Sequence, residues 1–327
     1  MTRKSIRWPR LGLGCAALGT PSPALSDAGA IATIEHALAR GIRFFDVAPL
    51  YGGGLAETRL GRALRGVPRS DYVLCTKTGV TRPFAQSATP PGSTTPRAAD
   101  RWDYSRAATR ASVLRSLDRL GVERFDVVHL HDAENHLDQC LEAHAELVRL
   151  RDEGRVDRIG IGSNLVAPIE TLLGRAAFDT FLLAGAYTLL DQCGEALITR
   201  AAQSGIEVVA GGIFNSGILA SWPPSPASTY AYLPASAAVV QRTTQIAEAC
   251  ARHGVPLATA ALQFVLAHLA ISTVLLGPRT PHELDQNLAS ATASVPAALF
   301  DELETLGLVA HGVPHPAPAS LQPAVNA

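Results

Sequence analysis

The feature that most constrains this chain is an alternation running almost from end to end, in which short apolar segments are each followed by a stretch with helical spacing of its apolar residues. The strand candidates are Leu11–Leu13, Phe44–Val47, Tyr72–Thr76, Val127–Leu130, Arg158–Ile161, Thr180–Leu183, Glu207–Ala210 and Ser272–Leu276. A strand, a helix and a second strand in that order make a parallel pair, because the helix carries the chain back to the starting edge. Repeated over these segments, the pattern predicts an α/β fold of the (β/α)8 TIM-barrel type rather than an open doubly wound sheet. A chain of 327 residues fits one such barrel. A single domain is expected over residues 1–310. The last stretch, 311–327 (HGVPHPAPASLQPAVNA), is too rich in Pro and Ala for a regular element and is expected to be a mobile tail.

Helix punctuation supports this reading. Ser26-Asp27 opens a helix that Gly41 ends, and Ser105 opens RAATRASVLRSLDRLG, which closes at Gly121. Two segments are long and rich in Pro, Ser and Thr, residues 81–104 and 213–236, and each follows a strand candidate. Long loops at the C-terminal face of a barrel are where ligands are held, so both belong to the expected mouth of the site.

The chain carries 28 basic and 29 acidic residues and is 47% hydrophobic, so it has material for a large core and no charge excess to draw it to nucleic acid or an acidic membrane. A small-molecule partner is the expectation. Cys15, Cys75, Cys140, Cys193 and Cys250 are widely spaced, with no C-x-x-C pair and no thiol-histidine spacing for zinc, so no metal site and a reducing, cytoplasmic setting are expected. The start imitates a secretory leader, but Gly12, Gly14 and Gly19 break its short apolar part, and no segment has the length of a membrane span.

Four polar residues fall at or just past the ends of successive strand candidates: Asp46 in FFDVA, Tyr51 in APLYGGG, Lys77 in LCTKTG and His131 in DVVHLHD. Alone, each has an ordinary structural explanation, as a turn cap, a loop aromatic, a snorkelling lysine or a core histidine. A barrel would bring all four to one mouth. There an ammonium beside a phenol would lower the phenol's pKa and make a proton-transfer group. His129, two residues before His131, is expected to face the opposite side of the strand in a structural role.

In the segments GIRFFDVAPLYGGGLAETRLGRAL, VLCTKTG, SVLRSLDRLGVERFDVVHLHD, RIGIGSN and LLGPRTPHELDQNL, taken in order, the chain resembles the aldo-keto reductase family over nearly its whole length. The resemblance implies that Tyr51 is the general acid/base, that Lys77 and Asp46 tune it, and that His131 orients the substrate oxygen. It also implies a nicotinamide dinucleotide held without a Rossmann domain. GLGCAA at residues 12–17 matches a loose dinucleotide fingerprint, but LGTPSPALSD after it cannot open a helix, so the match is set aside. By the same resemblance Ser163 and Asn164 would bond the carboxamide, and Phe214, Asn215, Ser216, Gly217 and Leu219 would contact the ring and pyrophosphate. Two positions depart from the common pattern: Ala184 stands where many members have glutamine and Gly211 where many have a stacking tyrosine. Towards the C-terminus, Gly277, Arg279, Glu283 and Asn287 fall at the adenosine end. Gly277 and Glu283 replace the usual lysine and arginine, which favours NAD over NADP, whereas Arg279 argues for NADP.

Within the family, LLAGAYTLLDQ, GGIFNSGILA and WDYS are most similar to sugar 1-dehydrogenases acting on L-fucose or D-threo-aldoses and to a pyridoxal dehydrogenase. This implies oxidation of a cyclic hemiacetal to a lactone, with Trp102, Tyr104, Phe84 and Tyr230 as apolar walls and Asp132 as an acceptor for sugar hydroxyls. Two other readings remain open: a general NADPH-dependent aldehyde or ketone reductase, and a regulatory subunit that binds nicotinamide without turnover.

Overall fold

A computed structural model describes residues 7–20, 25–81, 101–224 and 227–316. Eight parallel strands close into a barrel in chain order: β1 (Leu11–Gly14), β2 (Phe44–Asp46), β3 (Val73–Thr78), β4 (Phe125–His131), β5 (Val156–Ser163), β6 (Thr180–Ala184), β7 (Glu207–Gly211) and β8 (Thr273–Leu276). Every strand candidate falls on one of these. β4 and β5 extend further than expected at both ends, taking in Asp126 and His131 on β4 and Asp157 and Ser163 on β5, polar residues that read as strand boundaries in the sequence.

Around the barrel lie α1 (Asp27–Ala39), α2 (Leu55–Ala63), α3 (Arg106–Leu120), α4 (Leu137–Asp152), α5 (Val166–Leu173), α6 (Glu195–Gln203), α7 (Ala237–Arg252), α8 (Leu257–Ala267), α9 (Pro281–Thr292) and α10 (Ala297–Thr305). The punctuation works as the sequence implies. Ser26 caps α1 by accepting from the Gly29 N–H at 3.1 Å, and Ser105 caps α3 by accepting from Ala108 at 3.3 Å. Most of the apolar mass sits between strands and helices. Ile34 on α1, fully buried there, contributes about 1.5–3 kcal/mol.

The barrel interior is separate and small. Phe44, Cys75, Val127, Leu182, Val209 and Leu275 fill its lower part, with Trp8 against Phe44 at 5.6 Å. Gly12 and Gly14 belong to β1, and a short 3-10 turn, Ala17–Gly19, follows them, so GLGCAA builds no phosphate-binding helix.

Two expectations need correction. Val127, His129 and His131 stand at two-residue steps along β4, and a two-residue step in a strand returns to the same face. His129 therefore lies inside the barrel, one layer below His131, in the space over Gly160, where an added Cβ would sit 2.4 Å from its ring. The packed structure also does not stop at residue 310. Val313 is buried, the Tyr187 hydroxyl donates to the Pro314 carbonyl at 3.2 Å, and His315 stacks on Phe300 at 5.6 Å.

The two expected long loops both rise from the C-terminal face. The first begins and ends in a short antiparallel pairing of Val80–Thr81 with Arg101–Trp102. Residues 82–100, including Phe84, lie outside the described residues. The second holds a 3-10 turn at Asn215–Ala220 and a two-stranded ribbon, Thr229–Tyr230 with Leu233–Pro234.

Candidate active site

Asp46 ends β2, Lys77 lies in β3 and His131 ends β4, on three adjacent strands whose register sets Asp46 opposite Cys75 and Lys77 opposite His129. Tyr51 follows β2 in a turn pressed against Gly19 in the short 3-10 turn after β1. That turn needs its glycine: Gly52 has φ 65°, and a Cβ there would lie 1.9 Å from the Gly19 carbonyl oxygen. Behind the turn a fully buried carboxylate, Glu57, accepts from Thr76 Oγ1 at 2.8 Å and from Arg119 Nε at 2.6 Å, which locks α2 to β3 and α3.

The four expected residues come together. Lys77 Nζ donates to Asp46 Oδ1 at 2.5 Å and to the Val47 carbonyl at 3.2 Å, with both side chains almost fully buried. The same nitrogen is 4.8 Å from the centre of the Tyr51 ring, close enough to act on its hydroxyl electrostatically. Tyr51 and His131 meet edge to face, with ring centres 5.9 Å apart. Burial pulls the Lys77 ammonium down, but Asp46 and Tyr51 outweigh it and its pKa is raised. Burial pushes Asp46 up and Lys77 draws it back only in part. The pair is an ammonium and a carboxylate held together.

Tyr51 differs from the sequence expectation. Burial raises its pKa by more than Lys77 lowers it, so the side chain is a neutral phenol at neutral pH. Burial, helped by Lys77, holds His131 well below the usual histidine range, so its ring is neutral and has one N–H to donate. The site thus offers an acid at Tyr51, a fixed positive charge beneath it and a neutral donor beside it.

The structure separates the remaining candidates. Ser163, at the end of β5, donates to Glu134 Oε1 at 2.5 Å and accepts from the Leu165 N–H at 3.0 Å, with Asn164 half-buried beside it. Glu134 Oε2 is buried and has no hydrogen-bond partner. An acceptor left open beside Ser163 fits an amide donor such as a nicotinamide carboxamide. Phe214 and Gly217 are half-buried in the turn after β7, Phe214 packing against the core, and the Ser216 hydroxyl accepts from the Tyr232 N–H at 3.0 Å. Leu219 is fully buried, so its side chain belongs to the core and not to a ligand. Asn215 is also buried, and its amide donates to the Gly185 carbonyl at 3.1 Å, tying two loops together.

At the far end, Gly277 follows β8 and Asn287 lies on α9. Arg279 and Glu283, expected to act against each other, are partners: the Glu283 carboxylate accepts from the Arg279 N–H at 2.8 Å and meets its guanidinium at 3.3 Å. Of the expected walls, Trp102 is half-buried and Tyr230 sits in the ribbon. Tyr104 is fully buried and cannot line a substrate pocket. Asp132 stands next to the site, with Oδ1 3.8 Å from His131 Nε2.

Sequence reasoning missed Glu134 and Tyr232. Glu134 carries a signal, a carboxylate just past a strand end in HDAEN, but the H-x-H-D residues drew attention away from it. Tyr232 lies close enough to Tyr51, Asp132 and Lys77 to act on them electrostatically. It gets there through a ribbon turn in which Ala231 and Tyr232 both have positive φ, 47° and 65°, a geometry that no Gly or Asn announces in the sequence. Among the described residues no cluster of His, Cys, Asp or Glu is arranged to hold a metal, and no helix is long and apolar enough to cross a membrane.

Comparison with known proteins agrees with this geometry. The chain is 38% identical over 312 residues to a D-threo-aldose 1-dehydrogenase of a Pseudomonas species, covering 92% of this chain and 94% of the relative. It is 35% identical to a pyridoxal 4-dehydrogenase of Microbacterium luteolum, covering 94% and 96% of the two chains. Its fold superposes on the holo form of an aldo-keto reductase from Bacillus halodurans with a TM-score of 0.75, at 26% identity and over 96% and 98% of the two chains. The aldo/keto reductase family model matches residues 10–307, and with the barrel, the Asp46–Tyr51–Lys77–His131 cluster and these relatives it places the chain in the aldo/keto reductase family of nicotinamide-dependent oxidoreductases.

Proposed function

We propose that this protein oxidises the anomeric carbon of a cyclic hemiacetal, an aldose such as L-fucose or D-arabinose or the hemiacetal form of pyridoxal, to the lactone with NAD as acceptor. The observation that carries the reading is Tyr51, with the Lys77 ammonium 4.8 Å from its ring and the neutral His131 ring edge-on to it at the barrel mouth. The names of the relatives supply the substrate class.

Bound nicotinamide would supply the hydride acceptor, held through Ser163, Asn164 and Glu134. The residues of the chain handle the proton. The hemiacetal hydroxyl gives its proton to the Tyr51 oxygen as the C–H bond yields its electron pair and the C=O bond forms. Tyr51 must first lose its own proton to solvent, and the fixed charge of Lys77 is what makes the phenolate reachable in a buried site. His131 donates its N–H to the same substrate oxygen, and Asp46 keeps Lys77 in place. Trp102 supplies an apolar wall and Asp132 accepts from a sugar hydroxyl.

We assign NAD over NADP on a different footing from the sequence argument. Arg279, the cation that would meet a 2′-phosphate, is paired with Glu283. We also place the protein in the cytoplasm, where its five free cysteines remain thiols.

One observation favours a second reading. A neutral phenol is the acid that carbonyl reduction needs, so aldehyde reduction with NADPH is the competing activity. Initial rates with L-fucose, D-arabinose, L-galactose and pyridoxal, each with NAD and NADP and with Tyr51→Phe as control, decide between them. NAD-linked oxidation that Tyr51→Phe abolishes is expected. NADPH-linked reduction of simple aldehydes without oxidation of any of the four would overturn the proposal.

A further inference from the structure

β4 stops being a strand at Asp132. The backbone there is left-handed, φ 49° and ψ 58°, a conformation that costs a residue with a side chain about 1–2 kcal/mol, less for Asp than for most, unless its surroundings hold it. The Asp132 N–H remains in the sheet and donates to the Gly162 carbonyl at 2.9 Å, so the kink falls just past the last ladder bond. In a regular strand successive carbonyls point to opposite sides. Here the carbonyls of His131 and Asp132 converge on a single hydroxyl, that of Tyr104, which donates to the first and lies 3.1 Å from the second.

Tyr104 is built for this position. Its ring is fully buried, stacked on Trp102 at 6.2 Å and 13°, and 5.8 Å from the His136 ring. It rests directly on the backbone of Gly79, where φ is 109° and a Cβ would lie 2.0 Å from the ring. No other side chain shares those two carbonyls among the hydrogen bonds described, and no part of the ring opens to the mouth.

We propose that Tyr104 is a positioning residue whose hydroxyl clamps the two carbonyls, holds the left-handed turn at Asp132, and so sets the His131 ring and the Asp132 carboxylate as one receptor for neighbouring hydroxyls of a polyhydroxylated substrate. The substrate half of this statement rests on the hemiacetal reading above, and the clamp does not. Titratable groups face Asp132 from every side: Lys77 from β3, His131 from β4, Glu134 from the turn that follows, Tyr104 from beneath and Tyr232 from the ribbon. Among them, burial holds the Asp132 carboxyl up to about 6 while Lys77 pulls the other way. A relaxed turn would release the carboxylate to water.

The test is Tyr104→Phe, which keeps the ring and removes one oxygen. The Asp132 carboxyl is titrated by carbon-13 NMR in the full-length wild type and variant, with Asp132→Asn to assign the signal. Its midpoint should fall from about 6 towards the ordinary value of about 3.9. With an aldose as substrate, kcat/KM should drop roughly ten- to hundredfold, mostly through KM, while the dissociation constant for NAD stays unchanged. Thermal unfolding supplies a readout that needs no activity. Glycine takes the left-handed turn unaided, so Tyr104→Phe should lower Tm less in an Asp132→Gly background than in the wild type, and that background should restore folding if the single variant unfolds. An unmoved Asp132 titration, or equal Tm losses in the two backgrounds, would show that the hydroxyl only packs and would overturn the clamp. A wild type that oxidises no aldose would remove the hemiacetal reading and leave titration and Tm to judge Tyr104.

Discussion

The two sides of the barrel mouth are built differently. On the side of β2 to β4, Asp46, Lys77 and His131 stand on strands, are almost fully buried and are fixed by partners: Lys77 on Asp46, Tyr51 on Lys77, the turn of Tyr51 on Gly19. On the side of β7 to α9, Phe214, Ser216 and Gly217 ride on a turn with three consecutive positive-φ residues after Phe214, Asn215 to Gly217, and Arg279 and Glu283 are exposed enough to satisfy each other. The first side is preorganised for a proton transfer and the second is left adjustable for recognition. Preorganised charge is what lowers a barrier, whereas recognition tolerates movement, so changes on the first side should be costly and changes on the second graded.

The largest expected effect is on the first side. Tyr51→Phe removes the hydroxyl that exchanges the proton with substrate and should reduce kcat by about 10²–10⁴-fold with little change in Tm, as read by steady-state kinetics and calorimetry. Lys77→Met should remove activity as well, but also leave Asp46 as an unpaired buried carboxylate, costing about 3–5 kcal/mol in urea unfolding. A variant of Lys77 with wild-type stability would show that the pair is not buried as described.

The interior below that site gives the next effect. His129 is fully buried, neither ring nitrogen has a hydrogen-bond partner, and burial holds its pKa well below the usual range. Below pH about 6.5 the unfolded chain binds a proton that the folded chain refuses, so stability falls as pH drops, by about 1.4 kcal/mol per pH unit for each such histidine. His129→Leu should flatten that slope between pH 6.5 and 5, leaving the contribution of His131. An unchanged slope would mean that His129 is protonated in the fold.

What the sequence made legible follows the same division. Strand periodicity and the ends of strands place Asp46, Lys77 and His131, because a parallel barrel turns every strand end towards one face. The same two-residue period puts His129 on the inner face with Val127 and His131, so its side is legible from the sequence although the opposite-face expectation is wrong. Tyr104 and Leu219 read as ligand contacts because an aromatic or a leucine in a functional loop carries no mark of burial; only packing against Gly79 and the core reveals it. Arg279 and Glu283 look like opposing signals in the sequence, which shows charges but not that they are paired, here across one turn at the start of α9.

Asp132 lies between the two sides and should behave accordingly. Its carboxyl titrates at about 6, raised by burial, so it is charged and able to accept from hydroxyls only above that pH. Its effect on folding runs the opposite way, since a raised acid stabilises the fold below its unfolded pKa and loses that contribution as pH rises through about 6. Activity on an aldose should therefore rise through pH 6 while this part of the stability declines. Asp132→Asn should abolish the acid limb of kcat/KM, with kcat changing less than KM.

The smallest effect is expected where the two charges of the second side meet. Glu283 caps the start of α9 through the Arg279 N–H and holds the Arg279 guanidinium at 3.3 Å, on a side chain that is 68% exposed. Exposed pairs of this kind are worth about 0.2–1 kcal/mol. Glu283→Gln keeps an oxygen that can accept from the backbone N–H and removes the charge that occupies Arg279. The freed guanidinium should then favour a 2′-phosphate, shifting the ratio of NADP to NAD affinity by at most about fivefold towards NADP, as measured by fluorescence titration of both cofactors. Arg279→Ala in the same background should cancel the shift. If Glu283→Gln weakens NAD binding and leaves NADP unchanged, the carboxylate contacts the ribose itself, and the adenosine end of the site would be as preorganised as the catalytic end.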